Sequence, residues 1–230
     1  MENRRYQASD QMSNMVNNNY RILLVISRFG ISLGFGDENI GEVCDSNGVD
    51  TNTFLAVVNR IIDNTSDSEY SLLDISIEAL IIYLQNSHDY FLKYRLPCIR
   101  QNLLEVLNTP KDGLVQAVLN YFDDYVKETE KHMMYEEKKV FPYVRSLLRG
   151  TDPGKYTINK YQKHHDQVET PLREFKQILI KYYPAKSSNE LNSVLFDIFN
   201  CESDLASHTD IEDKLFTPLI LELERKVLYK

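Results

Sequence analysis

The chain has 230 residues, of which 43% are hydrophobic and 26% charged, enough to bury one sizeable core and a small additional module. Its net charge of −8 argues against the basic surface that a nucleic-acid binder needs, and its three scattered cysteines exclude a disulfide framework or a cysteine-based zinc site. The apolar run at 22–26 is too short for a signal sequence or a membrane span, so the reading is of a soluble, cytoplasmic protein with no membrane partner.

With only 8 Gly and 7 Pro, the chain makes few turns, which favours long helices. After a loose tail at 1–10, the pattern predicts helices over about 11–29, 38–45 and 52–62. Gly34–Phe35–Gly36 and Asn47–Gly48 are the turns between them, and Asp50 or Thr51 is the N-cap of the third. The polar segment 63–70 reads as a linker. Residues 1–65 carry five Arg against eight acidic residues, which disfavours a DNA-binding helix-turn-helix.

Longer helices follow: about 72–107 with a kink at Pro97, 114–148, 157–183 and 189–228. Breaks fall at Thr109–Gly113, Asp152–Gly154 and Pro184. The expected architecture is all-α: a small helical N-terminal domain over 1–65, then an up-down-up-down four-helix bundle over 72–230.

The five histidines, His88, His132, His164, His165 and His208, all lie in the four long helices, and each of these helices carries at least one. His88 shares a face with Ile81, Leu84 and Phe91. His132 shares one with Tyr125, Glu136 and Tyr143, and His165 with Tyr161, Val168 and Leu172. His208 lines up with Leu205, Glu212 and Leu215. His164 lies about 100° from His165 and is the alternative ligand on that helix. Two carboxylates aimed into a core cost several kcal/mol unless paired or bound to metal.

The second and fourth long helices share a repeat: His132 and His208 are each followed by Glu at +4, an acid at +5, Lys at +6 and Pro at +10. His and Glu four apart project from one side of a helix. The predicted metal ligands are therefore His88, His132, Glu136, His165, His208 and Glu212. Imidazole and carboxylate without thiolate suit iron or manganese, with zinc also open. If both glutamates bridge, two ions each receive two oxygens and two nitrogens. A bridging oxo or hydroxo group then leaves one octahedral position for a small molecule.

Glu128 and Glu169 are candidates to orient an imidazole or, equally, plain solvated carboxylates. Cys44 and Cys201 read as packing residues. Tyr121, Tyr125 and Tyr143 read mostly as amphipathic packing.

The stretches SHDYFLKYRLP, HMMYEEKKVFP, KHHDQVE and HTDIEDKLFTP resemble those of hemerythrin-like di-iron proteins, most closely the repair-of-iron-centres family. The resemblance covers about 73–228 and implies two non-haem irons bridged by Glu136 and Glu212. The N-terminal stretch RFGISLGFGDENIGEVCDSNGVD is similar to the small helical domain of that family, although Leu33–Gly34 stands where the family usually has two cysteines. Oxygen-carrying hemerythrins typically place a fifth histidine where this chain has Glu169. The resemblance implies repair of iron–sulfur clusters damaged by oxidative or nitrosative stress, through iron donation or NO chemistry rather than conventional turnover. The implied partners are damaged iron–sulfur proteins and O2 or NO; a homodimer is compatible with the reading. The alternative is a non-enzymatic O2 or NO sensor or carrier.

Overall fold

The structure is a computed structural model that describes residues 5–62, 74–107, 113–151, 154, 156–162, 169–183 and 189–228. The expected linker at 63–70, the break at 109–112, Pro184 and both His164 and His165 lie outside the described residues. Every regular element among the described residues is helical. None of these helices is long and apolar enough to cross a membrane. By packing, the chain forms two compact units, Met1–Ser87 with Ile211–Lys226, and His88–Asp210 with Val227–Lys230.

In the first unit, α1 (Met12–Asn18) and α2 (Ile22–Arg28) replace the single helix expected over 11–29. Asn19 adopts an extended backbone, and its side-chain oxygen accepts from the Arg21 N–H at 3.1 Å. Asn competes in this way with the helical backbone, which is why the apolar periodicity runs on while the helix does not. α3 (Ile40–Ser46) opens on a reciprocal capping box: Asn39 Oδ1 accepts from the Glu42 N–H and Glu42 Oε2 from the Asn39 N–H, both at 2.9 Å. It closes at Gly48, whose φ of 66° lets the Val49 N–H return to the Cys44 carbonyl at 2.9 Å.

α4 (Thr51–Ile62) is capped by Asp50, which accepts from the Thr53 N–H at 2.7 Å. Cys44 is fully buried, and burial pushes its thiol up to about 11, so it packs rather than reacts near neutral pH.

The next helix, α5 (Ile77–Tyr90), starts five residues later than the expected 72. Ser76 explains the start: its hydroxyl accepts from the Ala79 N–H at 3.3 Å, and its own N–H donates to Thr53 Oγ1 at 2.8 Å. Phe29 packs between Phe54 and Tyr83, with ring centroids 5.3 and 4.9 Å away, and Asn86 donates to the Arg28 carbonyl at 2.7 Å. The N-terminal helices are thus fastened to the first half of α5.

In the second unit, four helical segments share one core. α6 (Leu96–Leu107) contributes Ile99 and Leu103, and α7 (Gly113–Tyr135) contributes Phe122 and Met133. α10 (Glu169–Tyr182) contributes Phe175 and Leu179, and α11 (Asn189–Ile211) contributes Ile198 and Leu205. Burying each such side chain is worth roughly 1.5–3 kcal/mol. Arg100 grips Asp123 through two bonds of 2.6 and 3.0 Å, tying α6 to α7. Glu202 on α11 accepts from both Arg173 and Lys176 on α10. α8 (Phe141–Leu148) continues the line of α7, and α9 (Ile158–Gln162) precedes α10; α12 (Thr217–Leu228), which follows α11 in sequence, belongs up to Lys226 to the first unit.

Candidate metal centre

Three of these helices contain a widened π-helical turn: Phe91–Arg95 between α5 and α6, Glu136–Val140 between α7 and α8, and Glu212–Phe216 between α11 and α12. Each is closed by an i to i−5 bond, from Leu96 to Phe91, Phe141 to Glu136 and Thr217 to Glu212. The cause is local. A proline stands two residues past the end of each turn, at Pro97, Pro142 and Pro218. Proline offers no N–H, and its ring crowds the carbonyl four residues back. Widening the helix relieves that conflict. The expected kink at Pro97 is therefore a π-turn within a helix that carries on to Leu107.

Such turns are frequent at functional sites, and here they sit beside the predicted ligands. Glu136 and Glu212 are the first residues of two of them, and His88 lies three residues before the third. The side chains of His88, Glu136, His208 and Glu212 are each at most 1% exposed. One ligand atom from each of the four lies within 4.8 Å of all the others. Glu212 follows His208 by one turn along the same helical line.

Within the second unit, His88 Nε2 lies 3.0 Å from Glu136 Oε2, and His132 Nε2 lies 3.2 Å from Glu136 Oε1. The imidazoles of His88 and His208 meet edge to face at 5.1 Å. Phe141 stacks on His88 at 5.7 Å, and Phe91 meets His208 at 5.8 Å, so the site has apolar walls.

Two residues to which the sequence pattern gave no role at the site complete this surrounding. Glu137 Oε1 lies 2.9 Å from His88 Nδ1. A carboxylate only accepts, so Nδ1 carries a proton, and Nε2 is the ring atom directed at Glu136 and the one that could bind a metal. The Tyr161 hydroxyl donates to Glu136 Oε1 at 2.9 Å, with both residues buried. The signal for Glu137 was present as the acid at +5 in both repeats. Glu128, by contrast, faces solvent and pairs with Lys131 at 3.1 Å, so it orients no imidazole. Glu169 is buried.

The donor set fits a cation. Two donors bound to one ion at about 2.1 Å and a right angle lie about 3.0 Å apart, close to the spacings around Glu136.

The sequence matches the hemerythrin HHE cation binding domain over residues 55–220. The chain belongs to the hemerythrin family. No curated protein matches it. As a hemerythrin it has an all-α bundle and a buried His/Glu group able to hold a metal ion. Four of the six predicted ligands come together in that group, and His132 joins it through Glu136; His165 lies outside the described residues. Because Glu137 fixes the ring of His88, Glu137→Ala should weaken metal binding about 10–100-fold with little effect on the metal-free fold. A titration followed by calorimetry, beside a thermal melt of the metal-free protein, checks this.

Proposed function

We propose that this hemerythrin binds two non-haem irons and serves in the repair of iron–sulfur clusters damaged by oxidative or nitrosative stress. The carrying observation is the convergence of two fully buried carboxylates with imidazoles on one point, without any thiolate ligand. Nitrogen and carboxylate oxygen suit iron or manganese. With His132 and His165 added, the set has one imidazole from each of the four long helices and two bridging glutamates, enough for two ions. Bound iron would supply an exchangeable position for NO or O2 and a store of iron for a damaged cluster.

The chain's own residues then have distinct tasks. Glu136 and Glu212 neutralise the charge, Glu137 holds His88 in its metal-binding tautomer, and Phe91 and Phe141 keep water away. The resemblance of residues 28–50 to the helical domain of the repair family supports the repair reading. Leu33, where that family has a cysteine, is 68% exposed on a turn, so a repair role here runs without a thiol at that place.

The test mixes iron-loaded protein with an aconitase-type enzyme whose cluster has been damaged by peroxide or NO. Recovery of activity beyond a free-iron control is expected. Recovery no greater than that control removes the repair role. The apolar wall of Phe91 and Phe141 favours a second reading, an O2 or NO sensor or carrier. Reversible NO binding without any cluster recovery would select it.

A further inference from the structure

The repeat in the second and fourth long helices places Glu136 four residues after a histidine, but it does not foretell the hydrogen-bond donor that Glu136 meets. Tyr161 stands four residues before His165 in sequence, and the corresponding position before His88 is Leu84, which is fully buried and has no hydroxyl to offer. The Tyr161 hydroxyl donates to Glu136 Oε1 at 2.9 Å, and His132 Nε2 is 3.2 Å from the same oxygen. The other oxygen lies 3.0 Å from His88 Nε2. Both ends of the Glu136 carboxylate are thereby fixed.

The segment carrying Tyr161 is itself held against the Glu136 helix at a second place. Tyr156 and Tyr135 share a hydrogen bond of 2.9 Å, and the Tyr156 ring meets that of Tyr143 at 4.8 Å. Tyr135 directly precedes Glu136, and Tyr143 lies in the next helix, α8. The donor is therefore delivered by a docked segment and not by a free side chain.

We propose that Tyr161 is a positioning residue that anchors Glu136 as the tightly held carboxylate of the metal centre and so slows the departure of the metal. The proposal rests on the metal-binding reading above. A carboxylate oxygen has two lone pairs, so one can accept the phenol proton while the other faces an ion. Holding the carboxylate in place before the metal arrives removes the ordering cost of binding and stops the carboxylate from swinging away once it has bound.

The test is release of iron(II), loaded anaerobically, into an excess of a coloured chelator. Tyr161→Phe keeps the ring and its packing and deletes only the hydroxyl. Release is expected to quicken about tenfold, the lower end of the range for a lost outer partner of a ligand. The metal-to-protein ratio at saturation and the melting of the metal-free protein should stay as in the wild type. Tyr125→Phe is the control: it deletes the same atom from another buried ring of the second unit, one whose hydroxyl makes no bond to a ligand, and should release at the wild-type rate. Tyr161→Phe releasing at the wild-type rate, or Tyr125→Phe releasing as fast as Tyr161→Phe, overturns the proposal. A wild-type chain that takes up no iron at all overturns the metal-binding reading and this proposal together.

Discussion

Glu136→Ala is expected to purify without metal, and the wild type, on the proposed reading, to carry about two ions per chain, the number that a four-helix di-metal carboxylate site holds. The carboxylate is fully buried and in contact with His88, His132 and Tyr161 at 2.9–3.2 Å, so no neighbouring residue replaces it. The accompanying stability change distinguishes loss of the site from loss of the fold. At free metal a thousandfold above Kd, binding stabilises the folded state by about 4 kcal/mol. For a chain of this size that is roughly 8–16 °C in melting temperature. The wild type should lose that increment when treated with a chelator, and Glu136→Ala should show none to lose. Glu136→Ala retaining the full metal content, measured by elemental analysis, would place the ion elsewhere.

The centre was legible in the sequence where one helix carries two ligands in a fixed spacing. His132 with Glu136 and His208 with Glu212 are four apart, and helix geometry alone sets such pairs on one side. Contacts that cross between helices were not legible. Glu137 reaches His88 and Tyr161 reaches Glu136 over separations of 49 and 25 residues, and nothing in the local pattern of either tells which neighbour it will meet. Glu128 shows the converse. Its position one turn before His132 suggested a role, but it lies on the solvent side of α7, where Lys131 is the nearer partner.

The bundle itself was legible because its helices are long and strongly periodic, as with Leu172, Phe175 and Leu179 on α10. The misplaced boundaries share one physical origin, side chains that compete with the backbone. Asn19 interrupts an apolar run that reads as one helix, and Ser76 starts α5 after several residues that look equally helical. The π-turns were hidden for a different reason. The motif Lys-x-x-x-Pro occurs at Lys93–Pro97, Lys138–Pro142 and Lys214–Pro218, three times rather than the two seen in the His/Glu repeat. Proline in a helix reads as a kink or a break, yet in all three places the surrounding core holds the helix together and the conflict is absorbed by one wide turn.

Deleting Lys138 together with Pro142→Ala should give a chain that is more stable without metal and markedly worse at binding it. The π-turn at 136–140 holds one residue more than an α-helix of the same rise, and Lys138 is an exposed member of it. Removing that residue lets α7 run into α8 with ordinary i to i−4 bonds, while Met133 upstream and Val144 downstream keep their places in the core. Removing the proline restores the missing donor and can recover up to about 3 kcal/mol, the usual cost of Pro inside a helix. That corresponds to a rise of roughly 6–12 °C in the melting temperature of the metal-free protein. The site loses by the same change. Glu136 and Glu137 are consecutive and both lie in the widened turn, one against His88 Nε2 and the other against His88 Nδ1, so taking a residue out of that turn re-aims them. Metal affinity should therefore fall at least about tenfold, as when an orienting partner is lost. Pro142→Ala alone, which leaves the extra residue in place, should keep the affinity. A shortened chain that binds metal as tightly as the wild type would show that the wide turn merely accommodates the proline. One that melts lower would show that the core, and not the proline, demands the wide turn.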